Sequence, residues 1–493
     1  MSTASSRLVV GPFNRVEGDL EVQLDVVDGR VQAARVNAPM YRGFEQMLLG
    51  RDPMDALVIV PRICGICSVS QSVAAARALA DAAGVQPPPN GLHTTNLMLA
   101  AENLADHLTH FYLFFMPDFA RTDYAARPWH GEAQARFAAG SGRSQRAALA
   151  ARQRWLTLLG TLGGKWPHTG SIQPGGSARA IEAAERIRLL AKLREFRAFL
   201  ECTLYGAPLE EVAALDSEAA LTRWQDAAPD QGDLRLFLRI AADTGLHKLG
   251  PGPGRFLSYG AYAQPDGGFA MARGLWRSDS QSLQALDAAL LSRISEDVSH
   301  AWLAEGGQAE RHPDQGFTLP APDKPGAYTW NKAPRLAGEV VETGALARQL
   351  ADGQPLLRAA VARWGGCVTT RVLGRLMELA RVLPLMEQWL QALVPREAFF
   401  LPHSLPAQAH GAGLSEAARG ALGHWLQVQD GRIANYQIVA PTSWNFSPRD
   451  LNGTPGALEA ALQGITVPQP GVAPLAVQHV VRSFDPCMVC TVH

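Results

Sequence analysis

The 493-residue sequence predicts a mainly α protein of the α+β kind, a long central helix bundle with β-hairpins at its periphery. Two patterns carry this. Apolar residues recur every three or four positions over about 66–83, 91–116, 144–163, 177–204, 280–303 and 367–395, the period of amphipathic or buried helices. Residues 20–37 and 424–439 instead alternate apolar and polar about Asp28-Gly29 and Asp430-Gly431, the dipeptide that favours a two-residue hairpin turn. Helices are therefore expected to form the body and hairpins the ends. The breaks GVQPPPNG, HTGSIQPGG and KLGPGPGRF separate these elements, and residues 305–340 read as loop. No Ser/Gly-rich tract, charge block or internal repeat divides the chain, so residues 1–493 are expected to form one large unit.

Composition narrows the class. With 47% hydrophobic and 18% charged residues the chain can bury a large core, and its low charge fits a surface partly covered by an obligate partner. A net charge of -1 and a pI near 6.9 give no electrostatic footprint for nucleic acid or an anionic membrane, and neither partner is implied. The N-terminus, MSTASSRLVVGPFNRVEG, has no basic stretch followed by an apolar one, and no run of about 18 apolar residues occurs. No direct membrane contact is expected, and the expected location is cytoplasmic.

The chemistry-bearing residues are the cysteines. Four of the six form two C-x-x-C pairs, Cys64 and Cys67 in PRICGICSVSQ and Cys487 and Cys490 in RSFDPCMVCTVH. Six are too few for a secreted disulfide framework, and this distribution reads as metal binding in a reducing compartment. Thiolates suit zinc, iron-sulfur clusters and nickel, and a C-x-x-C turn lets two sulfurs face one ion. A tetrathiolate zinc stays open on spacing alone, and so does a [4Fe-4S] cluster. Zinc ribbons, however, place their pairs about 15–20 residues apart, and a structural zinc staples a domain too small for a core. Pairs at opposite ends of a long chain favour a large buried thiolate site in a helical enzyme core. Chain ends fray, so Cys490 and His493 need something to tie them down. Cys202 and Cys367 lie outside any motif and read as ordinary small hydrophobes.

Seven stretches together carry a resemblance: RVEGD at 15–19, RGFE at 42–45, RICGIC at 62–67, DHLTHFY at 106–112, ARGALGHW at 418–425, PTSWNFSPRD at 441–450 and SFDPCMVCTVH at 483–493. They resemble the large subunit of nickel-iron hydrogenases. Related subunits of the respiratory NADH dehydrogenase share this ancestry but lack the cysteine quartet. The resemblance implies the nickel-iron hydrogenase large-subunit fold and heterolytic cleavage of dihydrogen at a nickel-iron centre whose iron carries carbon monoxide and cyanide. Cys64 and Cys487 are implied as terminal nickel ligands, with Cys67 and Cys490 bridging the metals. Gln71, Pro441, Thr442, Ser443 and Pro486 lie in the motifs that surround the cofactor.

The same resemblance sets Arg419 over the open metal position, with Asp106 and Asp485 holding its guanidinium. This has a physical logic, because an uncompensated buried charge costs several kcal/mol. Arg419 or the Cys487 thiolate is the first proton acceptor, and guanidinium, charged to above about pH 12, is a poor base. Glu17 matches the carboxylate that passes protons from Cys487 towards solvent; in an apolar site its pKa rises and it can take and give a proton near neutrality. Glu45 and His493 match the ligands of a hard cation, usually magnesium, near the C-terminus. Ile66 and Phe114 stand where many oxygen-sensitive relatives have the smaller Val and Leu at the mouth of the gas channel.

One departure from the family pattern is informative. C-x-x-C-x-x-x-H is usual, and here Gln71 stands in place of the histidine. Hydrogen-sensing regulatory hydrogenases resemble this chain in that position, carry the bulkier gas-channel pair, and are made without the C-terminal peptide that a protease removes from most relatives after nickel insertion. This sequence ends at His493 with nothing to remove, which fits a matured chain or a gene without the extension. Gln71 can donate a hydrogen bond to Cys67 but cannot take up a proton. The reading is thus a regulatory hydrogenase large subunit of low turnover, served by maturation proteins. Its partners are an iron-sulfur small subunit, because no cluster motif remains for electron exit, and a signalling histidine kinase. A catalytic uptake hydrogenase and a zinc-stapled structural protein are the rivals.

Overall fold

In the computed structural model, residues 5–468 and 474–491 are described. Helices Ser68–Ala83, Pro89–Thr109, Arg143–Gly163 and Val368–Ala392 make the centre. Pro89 opens its helix where a missing N–H costs nothing. The Pro89–Thr109 helix is buried nearly all round, as a helix at the heart of a large protein must be. Gly84, at φ 64°, closes the Ser68–Ala83 helix with its N–H on Ala80 and Asp81. The periodicity at 367–395 and 144–163 thus marks real helices within a few residues of their ends.

Two helices change character near their ends. Pro89–Thr109 passes into a π-turn at His110–Phe115, and Ala183–Phe199 passes into another at Leu200–Tyr205. The expected helix over 177–204 starts only at Ala183, because Gly176–Ser177 is a short strand. The expected helix over 280–303 is a correction. It consists of strand Ser282–Gln284, one helical turn Ala288–Leu291 capped by Asp287, and strand Ile294–Asp297. Leu286, Leu290 and Ile294 mimic helical spacing, but each is pinned in a small separate core with Leu257, Tyr259 and Trp444. Strand Ile294–Asp297 is hydrogen-bonded between Glu310–Arg311 and Ala333–Leu336, so the loop-like 305–340 contains two short strands.

Both hairpins form, with Asp28, Gly29, Asp430 and Gly431 all at positive φ, as a tight hairpin turn needs. Each belongs to a three-stranded antiparallel sheet, with Ser5–Val10 and with Ala409–Ala417 respectively. A further sheet, built on Arg255–Ala263 and Phe269–Arg277, lies inside the chain between the stretches expected as helix, where no element was expected. Strand Ala409–Ala417 lies directly on helix Ser68–Ala83. A Cβ at Gly413 would stand 1.9 Å from the Ala74 carbonyl oxygen, and one at Gly411 2.1 Å from that of Ala78. Glycine facing alanine lets the strand reach Arg419 while packed on the helix that starts at Cys67. One continuous core includes Val10 near one end of the chain and Cys490 near the other. Among the described residues, no helix is long and apolar enough to cross a membrane.

Candidate metal centre

The C-terminal segment is tied down by backbone bonds to distant parts of the chain. Glu17 pairs with Cys487 in a parallel bridge, its N–H donating to Pro486 O at 3.3 Å while Met488 N donates to Glu17 O at 2.7 Å. Gly18, at φ 78°, permits this approach, since a Cβ there would lie 2.9 Å from Val489 N. Cys487 N donates to Thr442 Oγ1 at 3.1 Å. Arg42 Nη2 donates to Ile63 O at 2.5 Å and also to Val489 O, clamping the two C-x-x-C segments together.

The four sulfurs of Cys64, Cys67, Cys487 and Cys490 lie within 4.8 Å of one another, all buried. Cys64 and Cys487 are 3.5 Å apart, Cys67 and Cys490 3.2 Å, and Cys487 and Cys490 3.0 Å. These separations exceed the disulfide length of about 2.05 Å, and all four cysteines are free. Sulfur binds zinc-like metals at about 2.3 Å, so the cluster encloses room for one ion or a close pair. Without a metal the quartet is electrostatically frustrated. Hydrogen bonds from neighbouring sulfurs pull the Cys64 thiol well below its ordinary value, while contact with Cys487 pushes Cys67 well above and burial does the same to Cys487. Four thiolates in one dry place need cations, and their softness fits nickel and iron.

Beside them stands a buried guanidinium. Arg419 donates to Asp106 through Nη1, to Asp485 Oδ1 at 3.1 Å and to Asp485 O at 3.0 Å. Burial works against its charge, but Asp106, Asp485 and the thiolates of Cys487 and Cys67 hold it firmly protonated. Burial pushes Asp106 up to about 7 despite Arg419. Asp485, which burial would also raise, is held below the usual carboxylate range by Arg419 and Arg375. Burial raises the half-buried Glu17 as well, with the Cys64 thiolate adding to it, which suits a group that exchanges protons.

Arg375 escaped the sequence reading. Its Nη1 lies 3.0 Å from Asp485 Oδ2 and 3.4 Å from His107 Nδ1, and His107 Nε2 is 3.1 Å from Glu378 Oε1. Arg348 then joins Glu378 at 2.8 Å and Glu416 at 2.8 Å. Arg375 and Glu378 are three positions apart on helix Val368–Ala392, a spacing that puts them on one face, so this helix backs the whole ion network. A buried Arg and Glu at that spacing in an apolar helix was the available signal. Arg42, inside the RGFE motif, was another.

The remaining residues are placed as follows. Pro441, Thr442, Ser443 and Pro486 are buried around the cysteine loop. Gln71 is buried, and its Oε1 lies 2.9 Å from His424 Nε2. Ile66 is half-buried against the core; Phe114 is half-buried in the π-turn, its carbonyl accepting from Arg15 Nη1 at 3.2 Å. Glu45 accepts from Ile438 N at 2.8 Å and from Thr318 Oγ1, and Lys332 Nζ lies 3.1 Å from Glu45 and 3.2 Å from Glu296. Carboxylate oxygens such as those of Glu45 and Glu296 are donors of the kind a hard cation takes. His493 lies outside the described residues. Cys367 is buried at the start of Val368–Ala392, whereas Cys202 is exposed and so is not the buried small hydrophobe expected.

The sequence pattern of the family described as nickel-dependent hydrogenase matches residues 42–135 and 146–493. The chain is 31% identical to the periplasmic [NiFeSe] hydrogenase large subunit of Desulfomicrobium baculatum over 520 aligned positions, covering 99% of this chain and 95% of that one. It is 27% identical to the hydrogenase-2 large chain of Escherichia coli, covering 99% and 97%. The H2-activated [NiFeSe]-hydrogenase structure from Dm. baculatum superposes with a TM-score of 0.85 at 30% identity, covering 99% of this chain and 100% of that one. The fold, the cysteine quartet and the matched pattern agree, and the chain belongs to the nickel-dependent hydrogenase family, as a large subunit.

Proposed function

We propose that this chain cleaves dihydrogen heterolytically at a nickel-iron centre held by Cys64, Cys67, Cys487 and Cys490, and passes the electrons to an iron-sulfur small subunit. The observation that carries this is the Arg419 guanidinium, pinned by Asp106 and Asp485 beside four thiolates. A structural zinc has no use for it. When bound, the centre supplies the Lewis acid that polarises dihydrogen, with carbon monoxide and cyanide on the iron. Arg419 presents a fixed positive charge in a water-excluded place, and Asp485, locked from its other side by Arg375, fixes where that charge stands. The Cys487 thiolate receives the proton, and the Glu17 carboxyl, whose backbone is bridged to Cys487 and which feels the Cys64 thiolate, carries it towards solvent. Magnesium beside Glu45, with His493, belongs to the same proposal.

The finer reading is a cytoplasmic hydrogen sensor of low turnover that reports to a histidine kinase; it rests on Gln71 and on the bulkier Ile66 and Phe114. A second reading is an uptake enzyme, favoured by relatives such as the uptake hydrogenase large subunit of Azotobacter chroococcum, 27% identical over 591 positions. Infrared spectra with metal analysis of the purified complex test the main proposal. Bands of iron-bound carbon monoxide and cyanide are expected, and one zinc per chain without such bands overturns it. Hydrogen-dependent dye reduction, compared with hydrogen-dependent autophosphorylation of an added kinase, separates the sensor from the uptake enzyme.

A further inference from the structure

Helix Ser68–Ala83 begins at Cys67, yet Cys67 does not cap it with its side chain. Its sulfur is turned into the thiolate cluster, 3.2 Å from Cys490 Sγ. The first N–H groups of a helix need acceptors when buried. They find them on another helix. Glu102, midway along Pro89–Thr109 and only 2% exposed, accepts from Val69 N at 2.8 Å and Trp166 Nε1 at 3.0 Å through Oε2, and from Ser70 N at 2.9 Å and Ser70 Oγ at 3.0 Å through Oε1. Ser68 Oγ adds a longer contact at 3.4 Å and itself accepts from His168 N at 3.3 Å. His168 Nδ1 in turn donates to Pro61 O at 3.0 Å, ahead of Cys64. One carboxylate therefore anchors the flank after Cys67 directly and is linked to the flank before Cys64 through Ser68 and His168.

We propose that Glu102 is a positioning residue for the metal-holding loop, taking the capping place that Cys67 gives up to the metal and setting the charge beside that thiolate. The inference rests on the nickel-iron reading. All five donors are neutral and point at the carboxylate, which matches an ionised acceptor. The positive end of a helix draws electron density from a thiolate at its N-terminus. An anion on the same N–H groups offsets that pull and leaves Cys67 a stronger donor to the metals. Glu102 thus acts on the centre through Cys67, at a position that no cysteine motif marks.

The test uses the holo complex with its small subunit, in wild type, Glu102→Gln and Trp166→Phe. Infrared spectra are taken at pH 9, above the value of about 8 to which burial pushes this carboxyl. Glu102→Gln removes the charge, so the diatomic bands of the iron shift to higher frequency. Deuterium uptake in the peptide covering residues 64–72 rises about tenfold, the factor for one lost buried hydrogen bond. Trp166→Phe strips one neutral donor from the carboxylate and shifts the bands the other way. Wild-type bands and wild-type exchange in Glu102→Gln overturn the proposal. If that variant does not fold or load, Trp166→Phe decides: a downward shift supports the role of Glu102 and unchanged bands overturn it. Absence of diatomic bands in the wild type defeats the nickel-iron reading alone, and the exchange of residues 64–72 still decides the anchoring.

Discussion

The side-chain oxygen of Gln71 accepts a hydrogen bond from Nε2 of His424 at 2.9 Å, and Nδ1 of that histidine meets the Tyr436 hydroxyl at 2.8 Å. A carboxamide oxygen can only accept, so the imidazole carries its proton on Nε2 and Tyr436 donates to Nδ1. Tyrosine, histidine and glutamine form a buried hydrogen-bonded chain. It holds the Gln71 side chain in one orientation, four residues after Cys67.

Gln71→His places an imidazole in that position. An inflection near the ordinary histidine value of about 6.5, additional to any in the wild type, is expected in the pH profile of hydrogen/deuterium exchange. Superimposable profiles from pH 5 to 8 would show that position 71 is coupled to packing alone.

Cys64→Ser and Cys487→Ser are expected to deprive the soft metal of a ligand and to abolish dihydrogen activation together with nickel binding. Cys202→Ser, at an exposed position, leaves both intact. Nickel content and dye reduction, measured on all three, check this; equal losses would break the assignment.

Glu17→Gln keeps size and hydrogen bonding but removes the exchangeable acid. Hydrogen/deuterium exchange is expected to fall by about 10²–10⁴-fold, the range for a lost general acid-base group, with metal content unchanged. Undiminished exchange would send proton traffic along another route.

Glu378 gives the acid side of stability a definite sign. Burial alone would raise its carboxyl, but the Arg348 guanidinium and the His107 N–H hold it down to about 2, from an ordinary 4.5. A carboxyl depressed in the folded state contributes stability that is present in full above the unfolded value and is lost as pH falls towards the folded one. The window here runs from about pH 4.5 down to 2, and the contribution is on the order of 3 kcal/mol. Glu378→Gln is less stable at pH 7, and its unfolding midpoint approaches that of the wild type as the solution is acidified through this window. Parallel curves would place the titration elsewhere.

The double change Ile66→Val with Phe114→Leu removes small apolar volumes and is expected to cost at most a few kcal/mol of stability. If these side chains narrow the gas path, the variant inactivates under oxygen while the wild type does not. Dye reduction before and after air exposure reads this out, and oxygen resistance in a folded, metal-loaded variant would exonerate both residues.

Legibility in the sequence followed the range of the interaction. The helices at 144–163 and 367–395 and both Asp-Gly hairpins were legible because period and turn chemistry are local. Residues 280–303 misled for the same reason: Leu286, Leu290 and Ile294 carry helical spacing, and a core built with Leu257 and Trp444 overrode it. The internal sheet on Arg255–Ala263 was missed because its burial on both faces erases the alternation that betrays a strand.

The sequence by itself determined the ligand chemistry: two C-x-x-C pairs within motifs that name a hydrogenase large subunit, since thiolate identity and spacing are written in the chain. Only the tertiary structure decided that sulfurs more than four hundred residues apart in sequence converge within 4.8 Å, that Arg375 and His107 lock Asp485 from behind, and that Glu102 rather than Cys67 caps the helix of the first pair. Such partners are chosen by long-range packing. A buried charge or an orphaned N–H accepts whichever group the fold brings within reach, and nothing near it in the sequence records which one that is.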